Sequence, residues 1–180
     1  MKVRMLGSAK WGLTPGAPKR FQIPVVSAEG MEDVTKECFA FLRFVHAKDS
    51  ELLLLSSNER FDVRKIDPVS LRNELEVVHD LAIAAETSLS QFETTLDEDN
   101  HILADNNLHP NIRNAVLMRR GEKEVLTFYA QLAAEVQAVV NMPRKDFKRW
   151  TIKRGAHNPK PTKFDAYIDS IIVPLIKTDH

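Results

Sequence analysis

Eight apolar residues between Leu71 and Phe92 constrain the fold most. Leu71, Leu75, Val78, Leu81, Ala82, Ala85, Leu89 and Phe92 fall at offsets 0, 4, 7, 10, 11, 14, 18 and 21. A strand alternates every second residue, whereas this spacing follows the 3.6-residue period of an α-helix. Such a stripe, about six turns long, must be covered by other elements, so the chain needs further helices packed on it. Asp67-Pro68 predicts the start, with Asp67 as N-cap and Pro68 at the first helical position. The helix is expected to run to about Phe92.

Other segments supply the partners. Residues 31–47 read as a helix whose inner side carries Val34, Cys38, Phe41, Leu42 and Val45, widened by Phe39 and Phe44. Glu51 to Leu55 continues that helix or docks a turn. Thr95-Leu96-Asp97-Glu98 fits a capping box, with the Thr95 hydroxyl and the Glu98 carboxylate each serving a backbone N–H. The helix it opens stops near Asp105. His109-Pro110 opens a long helix to about Met142, with Ile112, Val116, Val125, Tyr129, Leu132, Val136 and Val140 inward. Gly121 costs about 1 kcal/mol there relative to alanine, which predicts a bend or a close helix contact. Pro143 ends this helix. Residues 144–163 read as a basic, loop-like stretch, and Phe164 to Ile176 as a last amphipathic helix distorted in its final turn by Pro174. Ahead of all this, Trp11 to Lys19 is a loop rich in proline and glycine, and Phe21 to Val26 reads as one short strand broken at Pro24. The expected fold class is all-α: an irregular multi-helix bundle of about four to five helices with an extended basic C-terminal tail. The expected organisation is an arm over 1–30, a helical domain over 31–142 and a basic tail over 143–180.

Charge is unevenly spread. Twenty-five Lys+Arg balance twenty-five Asp+Glu, which argues against a whole-chain nucleic-acid or membrane binder. Residues 1–30 nevertheless carry +4, residues 31–142 carry −9 and residues 143–180 carry +5. The basic ends either fold back on the acidic body or reach an acidic partner. The longest apolar run, Ile171 to Ile176, contains Pro174 and falls far short of the ~20 residues of a membrane span. Met1 to Lys10 lacks the apolar core of a secretory signal. One cysteine, Cys38, permits no internal disulfide; it fits a reducing, intracellular setting and reads as a small core residue.

No catalytic pattern emerges. There is no phosphate loop, His-Glu-x-x-His or Gly-x-Ser-x-Gly. The six histidines include no pair at i, i+4. Asp97, Glu98 and Asp99 read as helix-start electrostatics. No catalytic residue, cofactor or metal ligand is therefore expected. The basic stretch is the best candidate for contact: Lys145, Lys148, Arg149, Trp150, Lys153 and Arg154. Its cations interleave with Phe147 and Trp150. That pattern serves protein docking through an aromatic anchor, or single-stranded nucleic acid through base stacking. Without a nucleic-acid-binding fold motif, protein is the expected partner.

The middle of the chain resembles the C-terminal substrate-binding domain of the Rubisco large-subunit methyltransferase family of SET-domain proteins. Three ordered segments carry the resemblance: Thr94-Thr-Leu-Asp-Glu-Asp-Asn-His-Ile-Leu-Ala104, Leu108-His-Pro-Asn-Ile-Arg-Asn114 and Arg119-Arg-Gly-Glu-Lys-Glu-Val-Leu126. Phe41-Leu-Arg-Phe44 and Arg72-Asn-Glu-Leu75 also match, so the likeness covers about residues 20–142. His109 departs from the serine or threonine usual at that cap. The resemblance implies an all-helical module that holds a protein substrate beside a SET domain, and it adds Arg113, Arg119 and Arg120 as candidate contacts. A SET domain needs a glycine-rich methyl-donor segment, and none of the six glycines forms Gly-x-Gly. Asn100-His101 lies inside the helical module and reads as coincidence. Two functions follow as expectations. One is a non-catalytic adaptor or structural subunit that binds another protein within a multi-subunit complex. The other is the substrate-binding part of a lysine methyltransferase. The family's namesake points to the chloroplast as a compartment.

Overall fold

The computed structural model describes residues 33–56, 62–156 and 162–178. Among them the secondary structure is entirely helical, in seven helices. They are α1 (Asp33–His46), α2 (Asp49–Ser56), α3 (Leu71–Leu89), α4 (Leu96–Leu103), α5 (Pro110–Val140), α6 (Arg144–Ala156) and a last helix, α7, over 165–178. A 3₁₀ turn at Val63–Lys65 lies between α2 and α3. The all-α class expected from periodicity holds, but with seven helices among the described residues rather than the expected four to five, because Asp49–Ser56 and Arg144–Ala156 form helices of their own. The strand expected over Phe21 to Val26 lies outside the described residues.

The longest packing contact runs between α3 and α5. Val77, Val78 and Leu81 on α3 meet Phe128, Leu132 and Val136 on α5 in one core. Cys38 and Phe39 of α1 and Tyr167, Ile168 and Ile172 of α7 close the same core. A smaller cluster joins Phe44 and Ala47 of α1 to Leu52, Val63 and Ile66. Cys38 is buried, as a small core residue should be. On α1, Val45 is 41% exposed, because the inward side turns toward Cys38, Phe39 and Phe44 instead.

Helix ends follow local chemistry, with one correction. The N-cap of α3 is Ser70, not Asp67: the Ser70 hydroxyl accepts from the Asn73 N–H at 3.1 Å. Ser70 also donates to Glu51 at 2.6 Å, so the cap doubles as the tether to α2. Asp67-Pro68 is left outside the helix, as its lead-in. The α4 capping box forms as expected, with Thr95 and Glu98 serving each other's backbone. Pro110 opens α5, and the His109 ring nitrogen accepts from the Asn111 N–H at 3.3 Å, replacing a hydroxyl cap.

The extended basic tail is overturned. Residues 144–156 are helical, started by the Pro143 carbonyl, which accepts from the Asp146 and Phe147 N–H groups. Phe147, Trp150, Thr151 and Arg154, at i, i+3, i+4 and i+7, form the inward side, and two of the four are not apolar. The stripe is therefore weak in apolar periodicity. Phe147 and Trp150 stack with ring centroids 6.0 Å apart, and the Arg154 guanidinium lies 4.7 Å from the Trp150 centroid. In α7 the irregular turn precedes Pro174 rather than following it. Ile168–Ile172 is a π turn, with the Val173 N–H donating to the Ile168 carbonyl. The proline ring crowds the carbonyl four residues back, and the wider turn absorbs it. Gly121 sits within continuous α5, and a Cβ there would meet nothing within 4 Å, so no close helix approach requires it. Ile112 is 52% exposed, contrary to its expected inward placement. The first half of α5 turns Val116 and Lys123 inward instead.

If α7 is core, Ile172→Ala should cost about 2–5 kcal/mol in a urea titration. Ile152→Ala, on a side chain 72% exposed, should change stability by no more than about 0.5 kcal/mol.

Candidate functional site

Two buried polar clusters set the geometry, and the sequence flagged neither as a cluster. In the first, Arg43 of α1 donates to both oxygens of Glu74 on α3, each at 2.7 Å, and to the Ile66 carbonyl at 2.9 Å. The Tyr167 hydroxyl of α7 donates to Glu74 Oε1 at 2.5 Å. Arg43 and Glu74 are 4% and 0% exposed, so this pair is fully withdrawn from water. Burial opposes the Arg43 charge, but the hydrogen bonds and charge of Glu74 outweigh it and raise its pKa. Burial, and then the Glu74 charge, push the Tyr167 hydroxyl well above the ordinary tyrosine value, so it stays a donor. A buried pair held by a bidentate contact and further hydrogen bonds offsets part of its desolvation through geometry. The available signal was Arg43 and Glu74 themselves, charged residues set among apolar helix positions.

In the second cluster, Asp99 of α4 meets two cations of α5. Lys123 Nζ donates to Asp99 Oδ2 at 2.7 Å and to the Thr94 hydroxyl at 2.7 Å. Arg119 Nε donates to Asp99 Oδ1 at 3.0 Å. Hydrogen bonds from Arg119 first, against the cost of burial, and then from Lys123 and Thr94, hold Asp99 well below the usual carboxylate range. Asp99 is thus an inter-helix tie as well as a helix-start charge.

These contacts separate the candidate residues. Arg113 donates to the Leu103 and Asp105 carbonyls at 3.2 and 2.6 Å, closing the C-terminal end of α4. Arg119 is held by Asp99, and Arg120 pairs with Glu124 at 2.8 Å along α5. Arg154 pairs with Asp165 and Asp169, at 2.6 and 2.7 Å, and Trp150 is half-buried beneath it. Lys145, Lys148, Arg149 and Lys153 instead point outward on the far side of α6. The structure therefore does not bring the nine candidates together as one surface. Four form an exposed basic face, Arg154 and Trp150 join α6 to α7, and the three α5 arginines engage groups of α4 and α5.

Among the described residues, no three His, Cys, Asp or Glu side chains are placed to hold a metal ion. None of the described helices is long and apolar enough to cross a membrane.

An all-helical module knit by buried ion pairs between its helices is thus the class of structure at hand. The family model described as Rubisco LSMT substrate-binding matches residues 2–126. The chain belongs to that family. The match begins earlier and ends earlier than the stretch its motifs indicate, and it leaves α6 and α7 outside. No curated protein matches the chain.

Because the Asp99 pKa is lower folded than unfolded, its stabilisation is present above about pH 4, the unfolded value. It is lost as pH falls toward the folded value. Asp99→Asn should lower stability at neutral pH and flatten the loss of stability between about pH 4 and pH 2, measured by urea midpoints across pH. An unchanged pH profile would show that Asp99 is not held as the geometry indicates.

Proposed function

We propose that this chain is a protein-binding module that does no chemistry of its own, acting as an adaptor or structural subunit of a larger assembly. Membership of the substrate-binding family supports the protein-binding part of this reading, since a substrate-binding module of a protein methyltransferase holds another polypeptide. The outward basic face of α6 supports it, since charge with no ion-pair partner among the described residues suits an acidic protein surface. The partner is another protein; nucleic acid ranks below it, because Phe147 and Trp150 face inward rather than offering a stacking platform.

A second reading has its own support in the family match. The chain would then be the substrate-binding part of a SET-domain protein lysine methyltransferase, with the catalytic domain elsewhere in a longer product. An intact gene product with roughly 250 further residues carrying a methyl-donor site would select it. For the 180-residue chain, isothermal titration with S-adenosylmethionine should show no binding and a methyl-transfer assay no product. Stoichiometric binding or turnover would overturn the non-catalytic reading.

A further inference from the structure

The outer side of α6 carries a second helical stripe, made of charge. Lys145, Lys148, Arg149, Ile152 and Lys153 follow the i, i+3, i+4, i+7, i+8 spacing that places residues on one side of a helix. All five are exposed. The inner side of the same helix satisfies its cation: Arg154 has two carboxylates and an aromatic ring. No such contact holds the four outer cations among the described residues. The helix's single acid, Asp146, lies in its first turn, where it suits the helix dipole. Ile152 projects among the cations with 72% of its surface exposed.

We propose that this face of α6 binds an acidic, amphipathic segment of a partner protein, its carboxylates meeting Lys145, Lys148, Arg149 and Lys153 and an apolar side chain meeting Ile152. The proposal rests on the protein-binding reading above and adds the chemistry of the partner. Two features select a peptide over nucleic acid. The aromatics of α6 are turned toward the core, so its outer face offers bases no ring of its own to stack on. The apolar centre of the stripe is useless to a phosphate backbone but fits an amphipathic peptide. The stripe spans about 12 Å from Lys145 to Lys153, roughly two turns, so a two- to three-turn segment covers it. Anchoring makes the stripe a rigid template, because Phe147 is fixed in the core and Arg154 is clamped to α7. The face lies beyond the residues the family model matches, so it is a feature of this chain's own C-terminal helices.

The test uses the full chain and two labelled probes: a synthetic Glu/Leu amphipathic peptide and an oligouridine of similar length. Fluorescence anisotropy should show peptide binding that weakens as salt rises from about 50 to about 300 mM. Charge reversal in K145E/K148E/R149E/K153E should weaken it by about tenfold or more. The milder K145Q/K148Q pair should weaken it partially, and Ile152→Ser should weaken it without altering the salt slope. K177E, an exposed cation on α7, should leave it unchanged. Circular dichroism confirms that each variant keeps its helices. Peptide binding that is absent, or equal in wild type and both α6 charge variants, overturns the proposal. Tighter binding of oligouridine through the same residues also overturns it. Co-purification separates the two levels of inference. A defined partner retained by the charge-reversed chain sinks this face and leaves the protein-binding module standing. Peptide binding that depends on the α6 cations supports the face.

Discussion

One buried ion pair organises the molecule. Arg43 and Glu74 lie 31 residues apart in sequence, yet they meet with bidentate geometry in a site closed to water. Leaving either charge alone there would cost several kcal/mol. The fold must therefore bring α1 and α3 into one register. Tyr167, 93 residues beyond Glu74, adds a third strut by donating to the same carboxylate. The C-terminal helix is thereby held to the body by a specific polar contact as well as by Ile168, Ile171 and Ile172. With α7 fixed, Arg154 can fix α6 through Asp165 and Asp169. The outer face of α6 inherits its position from that chain of contacts.

The same logic recurs at the other end. Lys123 and Arg119 converge on Asp99, and Arg113 closes the carbonyl end of α4. Two of the three cations that resemblance nominated for partner contact, Arg113 and Arg119, thus hold α4 against α5, while Arg120 pairs along α5. Shared motif residues report the integrity of a module as readily as its binding surface. Arg43 and Glu74 illustrate the point, since both lie in segments that carried the resemblance.

What was legible in the sequence was local. The stripe of α3 as far as Leu89, the Thr95–Glu98 capping box and the Pro110 start each depend on neighbours close in sequence, and each formed, while Phe92 lies beyond the helix end. The inward side of α6 escaped because Thr151 and Arg154 stand where apolar residues would mark it. Arg154 can face inward only because α7 supplies carboxylates from 11 and 15 residues away. Ile112 was misplaced because α5 changes its inward side along its length, first covering α4 and then α3 and α7. The basic face was legible as a set of residues but not as a face. The separation of Lys145, Lys148, Arg149 and Lys153 from Trp150 and Arg154 appears only once the segment is helical.

The most direct test of this account is a double-mutant cycle in urea on Arg43→Met and Glu74→Leu. Each single change should destabilise by about 3–5 kcal/mol, because it strands a buried charge. The double variant should lose less than the sum, by a coupling on the order of 1–3 kcal/mol. Additive losses, or single changes that cost nothing, would contradict a fold organised by this pair.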